Sequence, residues 1–165
     1  MTGAEEVARS YFEAIARRDL DAMTPHWSPE CVEDVASIGI LRGPDELRAF
    51  FAEFFAAVPD LETIVDRITA SGEVAAVEWR MRGTFGGGPL QGIDPTGAWL
   101  ELRGCDVIEV EDGKIVRNTG YQDGMQMARA IGMLPPQDSP AERAMVSAFN
   151  ALTKVRGAVR ERFSG

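Results

Sequence analysis

The sequence predicts an α+β domain in which helices lie on one face of a curved antiparallel sheet. Three observations predict it. Segments with apolar residues at helical spacing come first in the chain, strand-like runs rich in β-branched and aromatic residues follow in series, and short turns rather than helices join those runs. That order argues against alternating βαβ units. With 165 residues, 45% hydrophobic and 26% charged, the chain has the composition of one globular domain large enough to enclose a cavity.

From Ala4 to Arg17 the residues Val7, Tyr11, Phe12 and Ile15 recur at helical spacing, and Asp19-Leu20-Asp21 opens a shorter second helix that runs through Met23 toward Trp27. Cys31 to Ile40 mixes β-branched and polar residues and reads as a strand. Gly43-Pro44-Asp45 then starts a third helix with proline near its first position, and its stripe is Leu47, Phe50, Phe51, Phe54, Phe55 and Val58. Four phenylalanines on one helix are expected to pack against the sheet. Ile64 to Ala70 and Val74 to Phe85 flank the turn Ser71-Gly72-Glu73 as a hairpin. The segment Gly86 to Gly97 breaks regular structure, Trp99 to Val110 returns as a long strand, and Glu111-Asp112-Gly113-Lys114 turns it into Ile115 to Gln122. After Asp123 a short helix runs to Gly132 and Pro135-Pro136 stops it. Ser139-Pro140-Ala141-Glu142 caps a last helix with Met145, Phe149, Leu152, Val155 and Val159 along one side.

Composition excludes several classes of function. A formal net charge of −9 repels a phosphate backbone, so nucleic acid is not expected as a partner. The acidic start Met1-Thr2-Gly3-Ala4-Glu5-Glu6 has no apolar core of a signal peptide and no run approaches a membrane span, which with two cysteines in no disulfide or metal spacing suggests a cytoplasmic protein without a membrane partner. One histidine, His26, rules out a multi-histidine metal centre, and it stays only as a pocket candidate beside Trp27. No phosphate-binding loop, dinucleotide fingerprint or nucleophile elbow is present, so no cofactor and no metal are expected. Residues 139–165 carry five basic and two acidic side chains, a local +3 that leaves −12 on residues 1–138. The tail is thus either a solvated helix on its own subunit or an arm for a partner.

Carboxylates remain as the candidates for chemistry, because burial in an apolar cavity makes a carboxyl group a useful proton acceptor and donor. Asp34 sits in the first strand, Asp106 lies within Leu102-Arg103-Gly104-Cys105-Asp106-Val107-Ile108, and Asp123 ends the last strand. By alternation Leu100, Leu102, Gly104, Asp106, Ile108 and Val110 share a side, so Asp106 interrupts an apolar face. Tyr121 and Asp123 also share a side. The competing structural readings are a buried hydrogen-bonded carboxylate for Asp106, a surface strand end for Asp34 and a helix N-cap for Asp123. Arg80 and Arg82 alternate with Trp79 and Met81 and read as a solvated face, while Trp27, Trp79 and Trp99 are candidates for core or pocket.

Several phrases, in this order, resemble the SnoaL-like polyketide cyclase (ester cyclase) family: Tyr11-Phe12-Glu13-Ala14-Ile15 with Asp19-Leu20-Asp21, Arg42-Gly43-Pro44, Val58-Pro59-Asp60-Leu61, Gly92-Ile93-Asp94-Pro95-Thr96-Gly97, Glu111-Asp112-Gly113-Lys114-Ile115, and Tyr121-Gln122-Asp123 through Ile131-Gly132-Met133-Leu134-Pro135. The resemblance covers about residues 5–136, which implies a SnoaL-like domain over 1–136 and a C-terminal amphipathic helical extension over 137–165. It implies the nuclear transport factor two-like cone, a cystatin-like roll of strongly curved sheet wrapped around N-terminal helices with a pocket at its wide end, in a homodimer. It further implies a cofactor-independent enzyme that closes a ring of an aromatic polyketide ester by an aldol reaction, with one last-strand aspartate, here Asp123, as acid and base. Asp106 would assist it, and Ile15, Trp27, Asp34, Phe50, Trp79 and Tyr121 would bind or orient a hydrophobic small-molecule substrate. Where characterised cyclases place histidines, this chain has Asp106, Arg117, Asn118 and Thr119. The alternatives on the same fold are a ketosteroid-isomerase-like arrangement drawing on Asp34, Asp106 and Tyr11, an epoxide hydrolase with an Asp-Arg-Asp relay through Arg80 or Arg82, and a non-catalytic binding or assembly module.

Overall fold

A computed structural model describes residues 3–162; Met1, Thr2 and residues 163–165 of the expected extension lie outside the described residues. The helices are α1 (Gly3–Ala16), α2 (Leu20–Met23), α3 (Gly43–Ala57), α4 (Gly124–Ala130) and α5 (Pro140–Arg162), and the strands are β1 (Trp27–Val35), β2 (Gly39–Arg42), β3 (Glu62–Ser71), β4 (Val74–Phe85), β5 (Ala98–Glu111) and β6 (Lys114–Gln122). The architecture is the expected α+β one, a curved and unclosed sheet in the order β2-β1-β6-β5-β4-β3.

Four of the five ladders are antiparallel, but β1 and β6 run parallel. The chain leaves β1, passes through every other strand and returns to its side, and this crossover sets residues 33 and 118 against each other. The strand expected over Cys31–Ile40 is in fact two: Ile38 N–H donates to the Val35 carbonyl at 2.9 Å, and the turn folds β2 back onto β1. β1 also begins earlier, at Trp27, immediately after a single 3-10 turn over Thr24–His26.

Local chemistry explains the helices. Asp19 caps α2 by accepting from Ala22 N–H, and Pro44 sits in the first turn of α3 ahead of Asp45 and Glu46. α1 buries Ala4, Ala8, Tyr11, Phe12 and Ile15, and α3 buries Leu47, Phe51 and Phe54. Their counterpart is the inner face of the sheet, where Ala75, Val77, Trp79, Met81 and Phe85 alternate with half-buried or exposed residues along β4. Trp27 stacks on Phe51 at 6.1 Å and meets Tyr11 edge-on at 6.1 Å, so the two main helices and β1 lock through aromatic contacts. Among the described residues no helix is long and apolar enough to cross a membrane.

Two strand positions, Gly104 of β5 and Gly120 of β6, carry no side chain where groups of the site press close. A Cβ built on Gly104 would lie 2.4 Å from the Trp79 ring and 2.8 Å from the Tyr121 carbonyl, and one on Gly120 would lie 3.1 Å from Val35 and 3.4 Å from an Asp106 oxygen. Both glycines therefore give their space to residues of the inner face. Gly104→Ala is expected to cost about 1–3 kcal/mol, because the clash is with backbone as well as with a packed indole; urea denaturation measures it, and an unchanged midpoint would show that the sheet relaxes freely there.

Candidate active site

A cavity of about 400 Å³ lies between the inner face of the sheet and helices α1, α3 and α4. Phe12 and Ile15 come from α1, Phe50, Phe51 and Phe54 from α3, Trp79, Met81 and Leu102 from the sheet, and Met127 and Ile131 from the region of α4. Leu90 and Ile93, paired as a short bridge in the 86–97 loop, close one side. Into this apolar wall project two carboxylates, Glu33 and Asp106.

Three adjacent strands bring them together. Glu33 on β1 is opposite Asn118 on β6, and Asn118 is opposite Ile108 on β5, two residues from Asp106 and on the same side. The side-chain amide of Asn118 donates to Glu33 Oε1 at 3.0 Å and to Asp106 Oδ2 at 2.8 Å. Trp79 Nε1 donates to the other Asp106 oxygen at 2.8 Å. Glu33 is 5% exposed and Asn118 1%, and the Asn118 Oδ1 has no partner because both amide hydrogens are turned to the carboxylates. The Tyr11 hydroxyl and Trp27 Nε1 are likewise buried without a conventional partner.

Burial pushes the Glu33 carboxyl up to about 8, with the neighbouring Asp106 charge adding to the shift and the Asn118 hydrogen bond opposing it. Burial raises Asp106 as well, but the bonds from Asn118 and Trp79 both hold it down. Two donors on Asp106 against one on Glu33 decide which group loses its proton first. Glu33 is thus the group of the pair that keeps its proton toward neutral pH, and Asp106 the one that gives its proton up first. Tyr11 is raised well above its ordinary value by burial and then by the Glu33 charge, so its phenol stays neutral.

The other residues singled out from the sequence fall into two groups. Ile15, Phe50, Trp79 and Asp106 line the cavity. Trp27 is 4% exposed within the aromatic stack and is no part of the lining. Asp34, one residue from Glu33, faces outward and pairs with Arg117 at 2.7 Å. Tyr121 and Asp123 do share a side, but it is the outer one: Tyr121 is 58% exposed, and Asp123 caps α4 by accepting from Met125 N–H at 2.9 Å and Gln126 N–H at 3.2 Å. Both border an open groove outside the sheet rather than the cavity. Strand alternation is the reason, since β6 turns Asn118 and Gly120 inward. Arg80 and Arg82 pair with Asp66 and Glu62 on that exposed face, and no arginine, lysine or histidine is among the lining residues, so a relay through either arginine has no place in the cavity. His26, in the 3-10 turn after α2, contacts Ser10 Oγ at 2.9 Å and is not among the cavity's lining residues. Among the described residues no group of three or more metal-binding side chains occurs.

Sequence reasoning missed Glu33 and Asn118. The available signal was Cys31-x-Glu33-x-Val35, in which Glu33 shares a face with two apolar residues.

Comparison with known proteins gives one family. The SnoaL-like domain model matches residues 8–118, a span that contains Glu33, Asp106 and Asn118 and ends before Asp123. A candidate SnoaL-like polyketide cyclase from Jannaschia sp. CCS1 is 23% identical with a TM-score of 0.72, covering 81% of this chain and 94% of its own. AclR, a candidate hydroxylase from Streptomyces galilaeus, is 22% identical with a TM-score of 0.70 over 98% of this chain and 97% of its own. A candidate ketosteroid isomerase from Kribbella flavida is 20% identical with a TM-score of 0.58, over 73% and 78% of the two chains. No curated protein matches the sequence.

The Glu33 shift has a measurable consequence for stability. Between its ordinary 4.5 and about 8 the folded chain keeps a proton that the unfolded chain releases. The folded state binds more protons, so stability falls as pH rises through that window, by up to about 1.4 kcal/mol per pH unit. Urea denaturation from pH 5 to pH 8 should show this decline in the wild type and a flatter profile in Glu33→Gln. Parallel profiles would mean that Glu33 titrates normally.

Proposed function

Since the chain belongs to the SnoaL-like domain family, we propose that it is a cofactor-independent acid/base enzyme acting on an uncharged, hydrophobic carbonyl compound, with Asp106 as the base and protonated Glu33 as the acid. The observation that carries this reading is the pair itself, a buried Glu33 and a half-buried Asp106 with unequal hydrogen bonding in the wall of an aromatic cavity. The wall also supports an uncharged substrate. With no cationic lining residue and two carboxyl groups in the wall, a carboxylate or phosphate on the substrate would be left unpaired.

The chemistry follows from the proton inventory. Asp106 takes a proton from a carbon next to a carbonyl, and its electron pair passes to the carbonyl oxygen as an enolate. In a cyclisation the enolate carbon attacks a second carbonyl of the same molecule and the alkoxide formed takes the proton from Glu33. In an isomerisation Glu33 holds the enolate oxygen by a hydrogen bond while Asp106 returns its proton at another carbon. After the cyclisation the proton left on Asp106 passes to Glu33, and after the isomerisation Glu33 still holds its own, so either route restores the starting state. The names of two structural neighbours, a candidate polyketide cyclase and a candidate ketosteroid isomerase, point to the same two outcomes. Division of labour between a base and a neutral acid favours the isomerase-like version, with Glu33 in the place considered for Asp34 and the neutral phenol of Tyr11 nearby.

The test is solvent deuterium uptake by a panel of uncharged polycyclic ketones and β-keto esters, read by mass spectrometry. Asp106→Asn and Glu33→Gln should each slow uptake by roughly 10²-fold or more, Asp123→Asn should leave it near wild type, and wild-type uptake should fall above about pH 8 as Glu33 ionises. Loss of uptake in Asp123→Asn with both cavity variants active would move the chemistry to the last strand.

A further inference from the structure

The cavity wall is polar at two levels, and the acid/base chemistry uses only one of them. β1 and β6 run parallel and in register, so their inward positions lead stepwise from the interior to the surface: Glu33 beside Asn118, then Val35 beside Gly120. Just past Val35, in the turn to β2, Ser37 meets Gln122, the last residue of β6, and Gln122 Nε2 donates to Ser37 Oγ at 2.5 Å. The first level carries the carboxyl pair, the second offers no hydrogen bond from a side chain, and the third is polar again. Ser37 and Gln122 both line the cavity, Ser37 exposed and Gln122 half-buried. Gln122 also borders the outer groove, which puts the third level at the cavity's mouth. A Cβ on Gly124, the first residue of α4, would lie 3.3 Å from the Ser37 Cβ, so α4 begins with the residue that leaves the serine its room.

We propose that Ser37 and Gln122 form a second subsite, which binds an uncharged hydroxyl or carbonyl group carried by the substrate at the end remote from its reacting carbonyl. The proposal rests on the acid/base reading for the position of that reacting carbonyl. The inventory of hydrogen-bonding groups selects the chemistry. The bond to Ser37 uses one amide hydrogen of Gln122 and leaves its carbonyl oxygen, its second amide hydrogen and the Ser37 hydroxyl hydrogen. The two side chains together can therefore both donate to a substituent and accept from it. Glu33 and Asp106 are the only lining residues with an ionisable carboxyl group, and no lining residue is cationic, so a charged substituent at the mouth finds no counter-charge in the wall. A neutral one finds partners.

Spacing selects the shape. Along β6, Gln122 is two residues from Gly120, which lies opposite Asp106, and four from Asn118, which lies opposite Glu33. At about 3.3 Å per residue these separations are roughly 7 Å and 13 Å. The wall between is Val35 and the bare backbone of Gly120, which can hold an apolar body but cannot fix its direction. A polar group at each end fixes it, because only one end-to-end orientation then satisfies both. The occupant is thus a rigid, uncharged molecule with an apolar middle, long enough to span from the carboxyl pair to the mouth, and a short ketone fills only the inner end.

Binding of two probes to the full chain, followed by tryptophan fluorescence because Trp79 lines the cavity, tests the proposal without requiring turnover. One probe is testosterone, an uncharged four-ring ketone with a hydroxyl on the ring farthest from the ketone; the other is the same ketone with hydrogen in place of that hydroxyl. The ratio of the two affinities, hydroxylated over deoxy, should fall roughly tenfold in Gln122→Leu, the loss of about one hydrogen bond. Ser37→Ala should lower it in the same direction, and circular dichroism should be unchanged in both variants because neither side chain is buried. A ratio that Gln122→Leu leaves unchanged overturns the proposal, and so does a wild type that binds neither probe at high micromolar concentration. A ratio that falls as expected in a protein that promotes no deuterium uptake by any ketone keeps the subsite and removes the acid/base reading. Normal uptake with an unchanged ratio does the reverse.

Discussion

The carboxamide of Asn118 is the joint on which the inner side of this protein depends. β6 lies between β1 and β5, and the single amide nitrogen at its centre reaches a carboxylate on either neighbour. Two carboxylates side by side in a desolvated wall repel strongly, because the local dielectric is far below that of water. The fold contains that repulsion in two ways: donors are concentrated on Asp106, and a proton is retained on Glu33. The arrangement that makes the pair tolerable is thus the one that makes it chemically asymmetric, with a ready base and a ready acid a side chain apart.

The two faces of the sheet treat charge differently. On the outer face Arg80 pairs with Asp66 and Arg82 with Glu62, all substantially exposed, so those pairs contribute little to stability. On the inner face the few polar groups are costly: Glu33, Asp106, Asn118 and Trp79 bond to one another, while the Tyr11 hydroxyl and Trp27 Nε1 stay buried without a conventional partner. Gly104 and Gly120 keep the inner face open where the sheet bends, giving room to the indole that fixes Asp106 and to the carboxylate itself. The aromatic faces of α1 and α3 then supply the apolar surroundings that raise both carboxyl groups. Fold and site are one arrangement seen at two scales, because the packing that buries Phe12, Phe51 and Phe54 also desolvates the pair.

Much of the architecture was legible because it rests on local periodicity. Leu47, Phe51 and Phe54 bury one side of α3, and the alternation of β4 and β5 placed Asp106 on the apolar face. The site was only half legible. Asp123 satisfies two patterns at once, the end of a strand and the cap of a helix, and sequence contains no term that says on which side of the sheet that end lies. Shifts of register between Trp27 and Val32 and between Glu109 and Val110 move side chains relative to any simple count. Glu33 was obscured by Asp34, since two adjacent acids on a strand share one local environment in sequence and have opposite environments in the fold.

By itself the sequence determined the order of helices and strands, the apolar stripes that must be buried, the acidic body with its basic tail, and a SnoaL-like resemblance borne out by the family match. These are properties of composition and short-range spacing, which no later contact can alter. Only the tertiary structure decided that Glu33, Asn118 and Asp106 share one wall, that Asp34 and Asp123 do not, and that Trp79 favours ionisation of Asp106. Those facts depend on a parallel crossover that joins positions 85 residues apart and on desolvation by helices from elsewhere in the chain. A carboxyl group's proton affinity is set by its neighbours in space, so the environment of this pair exists only once the sheet and helices have packed around it.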